Sequence, residues 1–147
     1  MPGAPRVRFR VDFGSQCSVG VGKIELLEGI ARSGSLSQAA REMRMSYRRA
    51  WLLLADLNLS FEQPVARTST GGRGGGGAVL TPFGVRLVAG YRKLESNLQP
   101  LANSCLHDLG RQVAAVRPKI AVQPASLRRK TAAPVELNAR RAVIPKG

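Results

Sequence analysis

Four arginines crowd one short stretch of the chain, "AREMRMSYRRAW": Arg41, Arg44, Arg48 and Arg49, with Ser46 and Tyr47 between them. Guanidinium groups pair with phosphate, or take a guanine edge bidentately for about 1–3 kcal/mol of discrimination per well-made pair. A plain phosphate contact or a solvated charge is the simpler account of each, so the elements that hold them must decide. A second stretch, "RTSTGGRGGGGAVLTPFG", sets six glycines around Arg73 at 71–77. A phosphate-binding loop of the Walker type needs Lys followed by Ser or Thr where its helix opens, and a dinucleotide loop needs a helix directly after the glycines. Neither follows here. A linker is the plain alternative, but the run is short and "VARTST" and "AVLT" can pair across it as a hairpin. Glycine at such a tip lets the backbone turn sharply and approach a ligand closely, and Arg73 is its one long side chain.

Other chemistry is thinly provided. His107 is the single histidine, and Cys17 and Cys105 lack metal-ligand spacing. No histidine stands near a serine or cysteine of the ordered core, the Cys105–His107 pair near a helix end is better explained by chance, and the carboxylates are few and scattered. The expectation is a non-enzymatic chain with no catalytic residue, metal or cofactor.

Lys and Arg number 23 against 9 Asp and Glu, a net charge of +14. That balance favours polyanions, nucleic acid first and an anionic membrane second. Residues 1–106 hold 14 basic and 7 acidic residues, and 107–147 hold 9 and 2. The second part is punctuated by Pro118, Pro124, Pro134 and Pro145 and keeps no helical or strand period. It reads as a disordered basic tail behind one domain at 1–106. No apolar run approaches the roughly 20 residues of a membrane span, and the N-terminus lacks the apolar stretch of a signal peptide. The expected compartment is the cytoplasm.

In the ordered part, "RVRFRVDFG" alternates Val7, Phe9, Val11 and Phe13 with charged residues, the period of a half-buried strand. Helical spacing follows at Ile24, Leu27, Ile30 and Ala31, ending at Gly34 as a left-handed cap. Ser35 and Gln38 fit a capping box for a second helix with Leu36, Ala39, Ala40 and Met43 inward. Ser46 caps a third, with Ala50, Leu53, Leu54 and Leu57 inward and fraying near Asn58; Trp51 is read as packing. Arg48 and Arg49 in its first turn oppose the helix dipole by some tenths of a kcal/mol each, a conflict that phosphate or base edges relieve. After the hairpin, Thr81 as cap and Pro82 at the first position open a helix of about five turns or more. Its stripe of Phe83, Leu87, Val88, Tyr91, Leu94, Leu98 and Leu101 exceeds what one small domain covers, which calls for a partner helix.

Helix, helix, turn, helix, hairpin, helix is the order of a winged helix-turn-helix. The fold expected is therefore mainly α with a small β component, an N-terminal strand and a long C-terminal dimerisation helix. The third helix would enter the major groove, led by Ser46, Tyr47, Arg48 and Arg49, with the hairpin as wing. The segments "GSLSQAA", "MSYRRAW" and "GGRGGGGAVLTPFG", in that order, resemble the N-terminal DNA-binding domain of ModE-type molybdate-responsive regulators, a relative of the LysR-type helix-turn-helix. The likeness runs from about Arg6 to Glu95. It implies a homodimer that binds double-stranded operator DNA near molybdenum-related genes. Carried onto this chain, the recognition residues are Ser46, Tyr47, Arg48 and Arg49 and the wing residues Thr68, Thr70 and Arg73. From the residues themselves, Arg67 is expected to join the wing, and Arg41 and Arg44 to be supporting backbone contacts. Members of that family also carry small β-barrel oxyanion domains, which residues 107–147 do not resemble. The expectation is a regulator without its own molybdate-sensing domain, working alone or with a separate sensor protein. The competing reading is a non-specific nucleic-acid-binding or adaptor protein that uses the winged domain to dimerise.

Overall fold

The alternating N-terminus finds two different partners. In the computed structural model, which describes residues 3–70 and 76–113, Val7, Phe9 and Val11 are part-buried while Arg6, Arg8 and Arg10 face solvent. Only Arg10–Phe13 forms a strand (β1), paired antiparallel with Cys17–Gly20 (β2) so that Phe13 lies opposite Cys17. The residues before it lie along the last helix instead. Tyr91 donates its hydroxyl to the Phe9 carbonyl at 2.7 Å, with the two rings stacked 4.4 Å apart. Gln99 accepts from the Val7 amide at 3.0 Å and donates to the Pro5 carbonyl at 2.8 Å. A period of two thus spans a short strand and a helix-bound segment, and Phe13, expected inward, is 50% exposed.

Three helices build the centre: Val21–Ser33 (α1), Leu36–Glu42 (α2) and Tyr47–Ser60 (α3). Gly34 ends α1 at φ 68°, donating its amide to Ile30 at 2.8 Å, as its type suggests. Ile24, Leu27 and Ile30 are buried as the spacing requires, joined by Leu26, whereas Ala31 is exposed. They meet Leu36, Ala39 and Ala40 of α2 and Ala50, Leu54 and Leu57 of α3 in one aliphatic core. Each large side chain so buried contributes about 1.5–3 kcal/mol. Small residues set the α1–α2 distance: a Cβ added at Gly29 would stand 3.0 Å from that of Ala39.

A second antiparallel pair, Ala66–Thr68 (β3) and Ala78–Leu80 (β4), precedes a helix of 30 residues, Pro82–Arg111 (α4). Among the described residues the architecture is mainly helical with two small two-stranded sheets. Thr81 caps α4 by accepting from the Gly84 amide at 3.1 Å, and Pro82 occupies the first turn. The helix passes through Pro100 and continues to Arg111, so residues 107–111, read from composition as tail, are helical. Residues 114–147 lie outside the described residues, as does the reading of them as a disordered tail. No described helix is long and apolar enough to cross a membrane.

One ion pair ties α4 to α1. Arg92 donates Nε to Glu28 Oε1 at 2.7 Å and Nη2 to Oε2 at 2.8 Å, and Nη1 to Glu95 at 2.6 Å. The hydrogen bonds from Arg92 hold the Glu28 carboxyl below its ordinary value, against the opposing effect of burial. A folded-state value below the unfolded one stabilises the fold above the unfolded titration and is lost as pH falls through the folded value. Glu28→Gln should therefore cost about 1 kcal/mol at neutral pH for this part-exposed pair, a few degrees in Tm. Thermal unfolding against pH should show variant and parent converging once the solution is more acidic than the folded-state titration. A constant gap down to that range would mean that the charge of Glu28 is not what it contributes.

Candidate nucleic-acid interface

The α2–turn–α3 unit is fixed by hydroxyl caps. Ser35 accepts from the Gln38 amide at 3.2 Å, which is one half of the capping box. The reciprocal half does not form, since the Ser35 amide donates to Ser33 Oγ at 3.2 Å instead. Ser46 accepts from the Arg49 amide at 3.2 Å and so sets where α3 begins. The first turn of α3 contains no acidic residue. Ser46, Tyr47, Arg48 and Arg49 are all exposed there, and Arg41 and Arg44 are exposed on the approach to it. The sequence brings these six residues to one end of α3, and the fold leaves that end open.

Their guanidinium groups have no carboxylate partner among the described residues, as is also true of Arg6, Arg86 and Arg111 elsewhere. Arg8, Arg10, Arg32 and Arg92 each pair with a carboxylate, and Lys23 pairs with Asp56. Among the described residues, Arg41, Arg44, Arg48, Arg49 and Arg67 enter no ion pair. The one acid beside them in sequence, Glu42, is engaged by Arg32 at 2.5 Å, and hydrogen bonding from Arg32 lowers its pKa. Unpaired cations at this density repel one another, and an anion brought to them removes that repulsion.

Trp51 does not pack as expected. It is 50% exposed, one turn beyond Tyr47, which is 57% exposed, so an aromatic edge runs up the outer face of α3. The inward positions that helical spacing assigns at 50, 54 and 57 fill the core without it.

The hairpin is anchored at its base on both sides. Ala66, Arg67 and Thr68 lie opposite Leu80, Val79 and Ala78. Beyond them the Ser69 amide donates to the Gly77 carbonyl at 2.8 Å, and Ser69 Oγ accepts from the Gly77 amide at 3.2 Å. The Ala78 amide donates to the Gly34 carbonyl at 2.8 Å, joining the hairpin to the end of α1. Arg67, Thr68 and Thr70 are exposed. Arg73 and the glycines at 71, 72, 74 and 75 lie outside the described residues, so the assignment of Arg73 to the hairpin tip does too.

Asn58 has a structural role that the sequence disguises. Read as the point where α3 frays, it lies inside a helix that runs on to Ser60. Its Oδ1 accepts from the amides of Val65 at 2.8 Å and Ala66 at 3.3 Å, and its Nδ2 donates to the Ala66 carbonyl at 3.0 Å. The side chain acts as a strand neighbour for the start of β3 and ties the hairpin to α3. An Asn eight residues before a strand is the only local signal of this, and it is shared with any turn.

No protein-family model matches the chain. Curated relatives do. The molybdenum-pterin-binding protein MopB of Rhodobacter capsulatus is 42% identical over 86 residues, 58% of this chain and 32% of the relative. MopA of the same organism is 48% identical over 80 residues, 54% of this chain and 30% of the relative. The DNA-binding transcriptional dual regulator ModE of Escherichia coli K12 is 43% identical over 86 residues, again 58% and 32%. The chain spans about a third of the length of these relatives. More than half of the chain thus resembles in sequence the matched parts of ModE, MopA and MopB.

Proposed function

We propose that this chain is a winged helix-turn-helix transcriptional regulator that binds operator DNA as a homodimer, at genes linked to molybdenum. The observation that carries the reading is the open end of α3, where exposed Tyr47, Arg48 and Arg49 follow the Ser46 cap with no acid in the first turn. In this reading α3 enters the major groove, Arg48 and Arg49 reach base edges or flanking phosphates, and the β3–β4 hairpin is the wing. The printed name of the E. coli relative, a DNA-binding transcriptional dual regulator, supports DNA as the partner. Homodimerisation is supported by what α4 exposes. Leu101 and Leu109 are 59% and 61% exposed, and Leu94 borders an apolar groove of about 240 Å³ between β1, β2 and α4. A second copy is the partner proposed for that face. The same reading makes the chain a binding protein and not an enzyme.

The test is selection of bound duplexes from random DNA, with and without molybdate, followed by titration of the best duplex and a scrambled one across salt. The expected result is a preferred sequence bound more tightly than the scrambled duplex at physiological salt, with log K falling linearly against log salt as counterions are released. Equal binding of the two duplexes would sink the regulator reading and leave the non-specific one. An identical selected sequence and affinity with and without molybdate would separate DNA binding from any molybdate response of this chain.

A further inference from the structure

Among the described residues, one non-glycine residue has a positive φ: Arg44, at φ 54°. It closes α2. The Arg44 amide donates to the Arg41 carbonyl at 3.0 Å, and the Met45 amide reaches back five residues to Ala40 at 3.0 Å. These paired bonds are those that end a helix through a left-handed residue, with the next side chain turned onto the core. Met45 does pack there. The end of α1 uses a left-handed residue too, and that residue is Gly34.

Nothing in this geometry asks for arginine. A Cβ in the left-handed region carries a steric cost that glycine does not incur. The Arg44 side chain recovers none of it inside the protein. It is exposed and makes no hydrogen bond or ion pair with any described residue. The carboxylate two positions away, Glu42, is taken by Arg32. A broken local rule with no internal compensation is what a binding role leaves in a free protein.

Resting on the reading of α3 as the groove-entering helix, we infer that Arg44 is a clamp on a DNA backbone phosphate, held in place by the left-handed turn. Its position fixes the choice of phosphate over base. It precedes the Ser46 cap by two residues, outside α3, where the turn meets the rim of the groove and not its floor. The cap bonds to Arg41 and Ala40 hold its Cα at the end of α2, so the guanidinium starts from a fixed point. Arg44 adds affinity that is the same for every sequence, and Arg48 and Arg49 supply the discrimination.

Arg44→Gly in the full chain separates these terms. Thermal unfolding should show Tm unchanged or raised, since the strained Cβ is gone. Titration of the selected and the scrambled duplex across salt should show both bound several-fold more weakly, in equal proportion. The slope of log K against log salt should shrink by about 0.9 per protomer. Arg44→Lys, which keeps the charge and the strain, should keep the parent slope. Parent affinity and slope in Arg44→Gly would overturn the assignment while leaving the regulator reading intact. A loss confined to the selected duplex would overturn it too, making Arg44 a base reader. A parent chain that binds neither duplex would overturn the assignment and the proposed function together.

Discussion

Gly84→Ala should lower the stability of this fold by about 3 kcal/mol, a fall in Tm on the order of 10–20 °C for a domain of this size. Gly84 lies in the first turn of α4, and a Cβ there would stand 1.9 Å from the Val65 carbonyl oxygen. That oxygen is backbone and cannot swing aside. It already accepts from the Thr81 amide at 3.0 Å and from the Thr81 hydroxyl at 3.3 Å. The same hydroxyl donates to the Pro64 carbonyl at 2.6 Å and caps the Gly84 amide. One methyl group would therefore separate α4 from the segment leading into β3 and disturb the cap, at about 1 kcal/mol for each hydrogen bond lost. Gly22→Ala is the matched control, because a Cβ at that helical position meets nothing within 4 Å. It should leave Tm unchanged or slightly raised. A Gly84→Ala protein that melts with the parent would show that α4 does not approach Val65 this closely.

On the proposed reading, replacing Arg48 and Arg49 together by Ala should weaken binding of the selected duplex by about 30-fold or more, given about 1–3 kcal/mol for each base-reading arginine. The scrambled duplex should lose much less, so the ratio between the two duplexes collapses. Stability should move the other way: removing two cations from the first turn of α3 relieves a conflict with the helix dipole worth some tenths of a kcal/mol each. The core positions Ala50, Leu54 and Leu57 are untouched and the Ser46 cap remains. Fluorescence anisotropy of labelled duplexes with parallel thermal melts gives both numbers. If the duplexes lose affinity equally, the two arginines hold phosphate and discrimination lies elsewhere.

What the sequence disclosed was local, and what it withheld was tertiary. Ser35, Ser46 and Thr81 announce helix starts because a hydroxyl cap needs only the amide three residues on, and all three bonds form. Gly34 announces a helix end because its conformation is its own. Gly84, by contrast, looks like one more glycine in "TPFG"; its reason is Val65, nineteen residues earlier and close only in space. Arg92 and Glu28 stand 64 residues apart, and nothing local in the sequence reveals that the helix faces carrying them meet. Trp51, read as packing, lies in helical phase outside the stripe of Ala50, Leu53, Leu54 and Leu57 and is half exposed. The open arginine end of α3 was legible from spacing. That Glu42 would be drawn off by Arg32, leaving the cluster without a counter-charge, was not.

The three hydrogen bonds of Asn58 carry a consequence for a duplex bound as proposed. They fasten the base of the hairpin to α3, so helix and hairpin base behave as one rigid caliper. On the proposed reading, a caliper of fixed opening leaves the duplex to supply whatever adjustment brings both contacts into register. Bending and twisting energies depend on which base steps are deformed. The base pairs between the α3 and hairpin contacts then influence affinity through their flexibility, though no side chain touches them.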